Sequence, residues 1–314
     1  MAHVKANGIQ IEYEIFGKKT NPTIVLIAGN GAQLNFWEPD FCEMLAKDNL
    51  QVIRFDNRDA GLSTKFDAAG IPDMEKIYQE AQEGKPIKTA YTLEDMADDV
   101  AGLLDALEIK KAHICGASMG GTIAQVFAYR HPLRIYSLIS IMSSTGNPNN
   151  PQISPETLAI VTATPPTGRD AYIDYSLRMW KNIWSKGFPF EEERARRYCE
   201  ESYDRSYYPQ GAVRQNAALV ANGDRRQHLS LLTIPTLVIH GTADVLFPVE
   251  AGKDTAHTIP EAKLLLIEGM GHDMPVGTWK CIVEAIVSLV NGTGLSTTDS
   301  AVTITYTTDN QSVS

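Results

Sequence analysis

Ser118 stands in the middle of Gly116-Ala117-Ser118-Met119-Gly120, a G-x-S-x-G arrangement. His113-Ile-Cys115 before it reads as a buried strand, and Gly121-Thr-Ile-Ala-Gln-Val-Phe-Ala128 after it reads as a helix. A strand-to-helix turn this sharp holds a serine in a strained conformation with its hydroxyl exposed. It also sets that hydroxyl at a helix N-terminus, where free N–H groups and the dipole favour developing negative charge. The chemistry on offer is nucleophilic attack. The plain alternative is a glycine-rich turn with an incidental serine.

A serine hydroxyl attacks poorly until an imidazole takes its proton. Of the seven histidines, His272 lies in Glu268-Gly-Met-Gly-His-Asp-Met-Pro275, just beyond an apolar run ending at Ile267. Two glycines before it allow that loop to bend inward. His240 ends another strand and is followed by Gly241, so a structural histidine beside the site is expected there. His131 precedes Pro132 and reads as a helix-end cap.

The imidazole in turn needs a carboxylate to fix its tautomer and stabilise the imidazolium. Asp244, in His240-Gly-Thr-Ala-Asp244, leaves the penultimate apolar strand at the same sheet edge. The loop after the preceding strand, Ser143-Ser-Thr-Gly-Asn147, carries no acid, and Asp273 is too close in sequence to reach its neighbour's ring. Acyl transfer also requires donors for the oxygen that becomes charged. The expected pair is the backbone N–H of Met119, directly after Ser118, and that of Asn30 in Ala28-Gly29-Asn30-Gly31.

These loops need strands that end together. Thr23–Ile27, Val52–Phe55, Ala112–Cys115, Ile135–Met142, Thr236–His240 and Lys263–Ile267 are short apolar runs of the kind covered on both faces of a sheet. Ile9–Ile15 alternates like an antiparallel strand. Helices are expected from the Thr92/Asp95 capping box onward, over Met119–Arg130, around Val249–Thr258 and over Trp279–Val290. Strand–helix alternation of this kind predicts an α/β fold with a mostly parallel central sheet and helices on both faces. Its carboxyl edge is where ligands bind.

The reading divides the chain into a core over residues 1–143 and 233–291, a helical cap over 144–232 and a Thr/Ser-rich tail over 292–314. The cap segment lacks buried strands and is rich in aromatics. Most of these are expected to pack, with a few lining a pocket over Ser118. Ala301–Tyr306 alternates weakly, but disorder is expected of the tail. Asp56, Arg58 and Asp59 are expected to tie a loop together near the site, and Cys115 to end its strand facing the core.

Composition is that of a soluble globular enzyme, with 43% hydrophobic and 21% charged residues among 314. A net charge of −10 argues against a partner held through phosphate neutralisation, so no nucleic acid is expected. The start reads without a secretory signal, so none is expected, and with no apolar run of about 18 residues no membrane partner is expected. Four cysteines without C-x-x-C spacing read as reduced, buried thiols of a cytoplasmic protein. The Asn291-Gly-Thr and Asn310-Gln-Ser sequons then read as accidental. Oligomeric state is not legible.

The order Ser…Asp…His and these motifs together resemble the α/β-hydrolase superfamily over about residues 1–291. More narrowly, Gly29-Asn-Gly31 with Trp37, Arg54-Phe-Asp-Asn-Arg-Asp-Ala-Gly-Leu-Ser63, Gly116-Ala-Ser-Met-Gly-Gly121, His240-Gly-Thr-Ala-Asp244 and Gly269-Met-Gly-His-Asp-Met-Pro275 are similar to aclacinomycin methylesterase-like hydrolases. The resemblance implies carboxylic-ester hydrolysis, with a methyl ester on a bulky polyketide among the substrates, and no metal or cofactor. Two features depart from the pattern: Ala28-Gly29 stands where many relatives have His-Gly, and the tail is foreign to it. The same three residues would also serve a carbon–carbon bond hydrolase or a cofactor-free perhydrolase. A small-molecule receptor on the same fold is the non-enzymatic alternative. Epoxide hydrolases and haloalkane dehalogenases need a carboxylate where Ser118 stands.

Overall fold

The computed structural model describes residues 2–293 and 301–304. In chain order the core begins with β1 (Ala2–Ala6), β2 (Ile9–Phe16), β3 (Thr23–Ile27), α1 (Pro39–Lys47), β4 (Gln51–Phe55), α2 (Met74–Gln82), α3 (Leu93–Ala106), β5 (Ala112–Ala117), α4 (Met119–Arg130) and β6 (Ile135–Ile141). Five helices follow: α5 (Pro155–Val161), α6 (Arg169–Ile183), α7 (Glu192–Ser206), α8 (Pro209–Asn222) and α9 (Arg226–Leu229). The chain then returns to the sheet with β7 (Thr236–Gly241), α10 (Val249–Thr258), β8 (Lys263–Ile267), α11 (Val276–Val290) and β9 (Ala301–Ile304).

The strands form one sheet in the order β1-β2-β4-β3-β5-β6-β7-β8-β9. The first two pairings are antiparallel and the rest parallel. Alternation along each strand decides which layer it feeds. Val25 and Ile27 of β3 pack with α3 and α4 through Met96, Val100, Ile123 and Phe127. Ile24 and Leu26 face the other way, towards Phe41 and Leu45 of α1 and Ile282 and Ile286 of α11. All five residues of β3 are therefore buried, which explains its unbroken apolar run.

The capping box at α3 is present, with Thr92 Oγ1 accepting from Asp95 N at 3.1 Å and Asp95 Oδ2 from Thr92 N at 2.8 Å. Three elements were not read from the sequence: β1, α1 and α2. Helix α11 also begins one turn earlier than expected, directly after Pro275. Strand β5 runs on to Ala117, so Cys115 lies within it; its side chain packs in the layer of α1 and α11.

Residues 294–300 and 305–314 of the Thr/Ser-rich segment lie outside the described residues. Where disorder is expected, Ala301–Ile304 instead forms β9, paired parallel with Leu264–Ile267. An exposed β8 edge offers a row of unpaired backbone groups, and a short alternating segment can satisfy them. Among the described residues no helix is long and apolar enough to cross a membrane. All four cysteines are buried.

Candidate active site

The strand order reverses between β4-β3 and β5-β6, so neighbouring loops diverge there and open a crevice at the carboxyl edge of the sheet. Ser118 sits in that crevice between β5 and α4. Its φ of 57° and ψ of −124° place it in a region that L-residues rarely adopt. The flanking glycines are a packing requirement: a Cβ on Gly116 would lie 2.0 Å from Gly120 O, and one on Gly120 2.1 Å from Ile27 O. Only hydrogen at those two positions lets β5, α4 and β3 approach closely enough to make the turn.

His272 arrives on the loop after β8, with Nε2 2.9 Å from Ser118 Oγ. On the other side of the ring, Nδ1 is 2.8 Å from Asp244 Oδ2. The second oxygen of Asp244, Oδ1, accepts from the backbone N–H groups of Leu246 at 2.8 Å and Phe247 at 2.9 Å. Burial works to raise the Asp244 carboxyl, but the charge and hydrogen bond of His272, the His240 ring and the Phe247 amide outweigh it. The carboxyl is held below the ordinary carboxylate value, and so is ionised at neutral pH. Ser118, His272 and Asp244, from three distant parts of the chain, thus form one continuous hydrogen-bonded line.

The two segments expected to carry the oxyanion donors adjoin Ser118. Met119 is the first residue of α4, so its amide has no acceptor within the helix. The loop carrying Asn30 lies against Ser118: a Cβ on Gly29 would be 3.3 Å from Ser118 Cβ and 3.7 Å from Ser118 Oγ. Two contacts on either side of Asn30 hold that loop. Asn57 Nδ2 donates to Ala28 O at 3.0 Å, and Gly31 N donates to Gln215 Oε1 at 2.7 Å.

His240 is fully buried beside the line, donating Nε2–H to Phe247 O at 2.7 Å, with Asp244 Oδ2 3.6 Å away. Burial lowers its pKa, partly offset by Asp244. It does not reach Ser118, and braces the loop that carries the acid. His131 caps α4, its amide donating to Phe127 O and its Nε2 lying 2.8 Å from Asp98. The three charged residues after β4 each take a separate partner. Asp56 Oδ1 accepts from Leu34 N and Oδ2 from Leu62 N, and Oδ2 also pairs with Arg205 of α7. Arg58 pairs with Asp99 of α3, and Asp59 with Arg214 of α8. They tie the 56–63 loop to α3 and to the helices above it.

Asp273 points away from the line. Its Oδ1 accepts from Ser185 Oγ at 2.6 Å, while Oδ2 has no partner among the described residues. Burial pushes its carboxyl up to about 7, against the opposing pull of Ser185, Arg194 and His272. A carboxyl with a raised folded pKa binds its proton in the native state while the unfolded chain has already lost it. Native stability therefore falls as pH rises from about 4 to 7. Asp273→Asn is expected to remove this dependence. Urea unfolding should show the variant gaining on the wild type by on the order of 3–4 kcal/mol across that window. Parallel curves would mean that Asp273 is ionised throughout.

A cavity of about 40 Å³ opens beside Asp273, lined among others by Trp37, Trp180, Trp184, Arg194 and Tyr198. Neither Ser118 nor His272 lines it, and an aromatic ring needs a space several times larger. The cap aromatics otherwise pack on one another: Tyr203 stacks on Tyr207 at 4.7 Å, and Trp180 meets Tyr198 edge-on at 5.6 Å. Among the described residues no group of His, Cys, Asp and Glu could hold a metal ion.

Sheet order, turn geometry and helices on both faces define an α/β hydrolase fold. Residues 22–276 match the family described by that name, and the chain belongs to it. It is similar to the rhodomycin D methylesterase DauP of Streptomyces sp. (strain C5), 26% identical over 302 residues covering 87% of this chain and 92% of that one. Among solved structures it resembles the enol-lactonase of Burkholderia xenovorans LB400 with a TM-score of 0.70 at 23% identity, covering 92% of this chain and 100% of the other. It also resembles a meta-cleavage product hydrolase of Pseudomonas fluorescens IP01, with a TM-score of 0.73 at 21% identity over 94% and 98% of the two chains. The structural likenesses are likenesses of fold. The protein is an α/β hydrolase enzyme, and the narrower likeness to methylesterases agrees with that read from its motifs.

Asn57, Ser185 and Gln215 are the residues of this site that the sequence reading passes over. Asn57 lies inside the quoted Arg54–Ser63 segment, and its position after Asp56 was the only available signal. Ser185 and Gln215 carry no local pattern at all.

Proposed function

We propose that the protein hydrolyses carboxylic esters through an acyl-enzyme, with Ser118 as nucleophile, His272 as general base and Asp244 as the acid that orients it. The observation that carries this is the unbroken line Asp244–His272–Ser118, at 2.8 and 2.9 Å. Ionised Asp244 accepts a hydrogen bond from Nδ1–H, which leaves Nε2 as the acceptor for the Ser118 hydroxyl. As Oγ bonds to the ester carbonyl, its proton passes to Nε2 and the imidazolium is stabilised by Asp244. The carbonyl oxygen takes up the charge and accepts from the N–H groups of Asn30 and Met119. Collapse breaks the C–O bond, and Nε2 returns the proton to the leaving alcohol. Water, deprotonated by the same nitrogen, then attacks the acyl carbon and releases the acid and Ser118. None of these steps needs a metal or cofactor.

The similarity to a methylesterase makes methyl esters of bulky acids the first substrate class to examine. The small cavity beside Asp273 does not hold such an acid, so a large acyl group requires the crevice over Ser118 itself. Buried thiols suit a reducing compartment, which supports a cytoplasmic enzyme.

The test pairs covalent labelling with a substrate panel. A fluorophosphonate probe should label Ser118 stoichiometrically, and p-nitrophenyl and methyl esters of graded acyl size should be turned over. Labelling with turnover of vinylogous diketones but not esters would favour carbon–carbon cleavage. Halide oxidation dependent on peroxide and a carboxylic acid would favour a perhydrolase. Reversible binding without labelling or turnover would make the protein a receptor.

A further inference from the structure

The segment that carries α5–α9 does more than cover the site, because two of its polar side chains, one in α8 and one between α6 and α7, grip the two loops that the proposed reaction depends on. Gln215 of α8 is completely buried. Its Oε1 accepts from Gly31 N at 2.7 Å, and its Nε2 donates to Arg58 O at 2.7 Å. Gly31 directly follows Asn30 and is pressed against the same helix, where a Cβ would lie 2.8 Å from Ala212 Cβ. The amide side of the Asn30 loop is thus fixed from the cap, while the Asn57 contact to Ala28 O fixes the other side from the core.

The loop carrying His272 is held in the same manner by the segment after α6. His272 N donates to Ile183 O at 2.9 Å, Gly271 N to Ser185 Oγ at 2.7 Å, and Gly187 N to Gly269 O at 2.9 Å. Ser185 Oγ completes the grip by donating to Asp273 Oδ1 at 2.6 Å. Ser185 is completely buried, so water does not compete for these bonds. It spans the residues immediately before and after the imidazole.

We infer that Gln215 and Ser185 are positioning residues: Gln215 holds the Asn30 N–H where the oxyanion forms, and Ser185 holds His272 in line with Ser118. The cap therefore assembles the reacting groups even for a substrate too small to touch it. The inference rests on the ester-hydrolase reading above. Misplacing a donor or a base by a fraction of an ångström lowers the rate of the chemical step and leaves ground-state binding unchanged.

The experiment uses p-nitrophenyl acetate, which is small, together with trifluoroacetophenone, whose hemiketal with Ser118 carries an oxyanion. Gln215→Met keeps the side chain's length but removes both polar atoms. It should lower kcat about 10- to 100-fold with KM within about twofold, and weaken trifluoroacetophenone by the same factor as kcat/KM. Gln215→Glu, which retains an acceptor for Gly31 N–H, should recover part of the loss. Ser185→Ala should lower kcat about tenfold and slow fluorophosphonate labelling by a similar factor, with Ser185→Thr restoring both. Active sites are counted by titration, so that a loss of folded enzyme does not pass for slower turnover. Should Gln215→Met not fold, Gln215→Leu with the same titration replaces it.

Unchanged turnover per site in Gln215→Met and Ser185→Ala would overturn the inference. So would a rise in KM at constant kcat, or weaker catalysis with undiminished trifluoroacetophenone binding in the Gln215 variant. Ser118→Ala, assayed in parallel, separates this from the reading beneath it. If that variant kept wild-type turnover, the ester-hydrolase mechanism itself would fail.

Discussion

Ser118→Ala is expected to lower kcat for p-nitrophenyl acetate by about four to six orders of magnitude, with KM little changed. The change removes one oxygen from a position whose backbone is already committed. With φ at 57°, Ser118 is held by Gly116 and Gly120 packing against backbone on either side, so alanine adopts the same turn and the crevice keeps its shape. What disappears is the acceptor of the acyl group and the partner of His272 Nε2. On the proposed mechanism, direct attack by water, with His272 still in place as a base and the Asn30 and Met119 amides still available to the carbonyl, would set the residual rate. Such remnants amount to about 10³–10⁴ over water in enzymes that have lost a member of their catalytic set. Stopped-flow and long-time assays together span the range. A loss smaller than about a hundredfold would show that the serine is not the nucleophile.

Asp244→Asn should cost nearly as much, on the order of 10⁴ in kcat, and for a different reason. Oδ1 of Asp244 is fixed by two donors, the N–H groups of Leu246 and Phe247. An asparagine in the same place must put its carbonyl oxygen there, which turns its NH₂ towards His272 Nδ1. That nitrogen must then accept, so the ring proton moves to Nε2 and faces the Ser118 oxygen. The imidazole presents a donor where the reaction needs an acceptor, although no distance need have changed. The loss should therefore appear in kcat with the fold intact, and the fluorophosphonate labelling rate should fall in parallel. Wild-type labelling in Asp244→Asn would mean that another group fixes the ring. His240, 3.6 Å from the carboxylate and donating to Phe247 O, is not placed to do so.

The parts of this arrangement that could be read from the sequence are those that local physics determines. A strand buried on both faces needs an apolar run, so β3, β5, β7 and β8 stand out. A strand–turn–helix with glycines at fixed offsets identifies Ser118, and loops leaving the ends of those strands offer His272 and Asp244. The fold class follows from alternation alone. Helix α2 leaves little trace because Ile77 is its one buried residue, whereas α1 buries Phe41, Cys42 and Leu45 at helical spacing, a pattern the sequence does carry. The weak alternation of Ala301–Ile304 becomes a strand because an open sheet edge lies beside it. The grip of Gln215 on Gly31 spans 184 residues, and that of Ser185 on Asp273 spans 88. A buried glutamine in one helix and a lone serine after another have no periodicity that points to such distant partners. Tertiary contact alone gives them a role.

The spacing of the reacting groups along the chain also has a meaning in time. Ser118 and His272 are 154 residues apart, and the five-helix insertion and Asp244 both come between them. During synthesis the serine emerges from the ribosome long before the imidazole exists. A hydroxyl without its base is as unreactive as any other, so a nascent or truncated chain carries a dormant nucleophile. If Ser118 and His272 act as proposed, hydrolytic competence arrives only when β8 has joined the sheet, and the late-forming non-local pairing is the step that arms the enzyme.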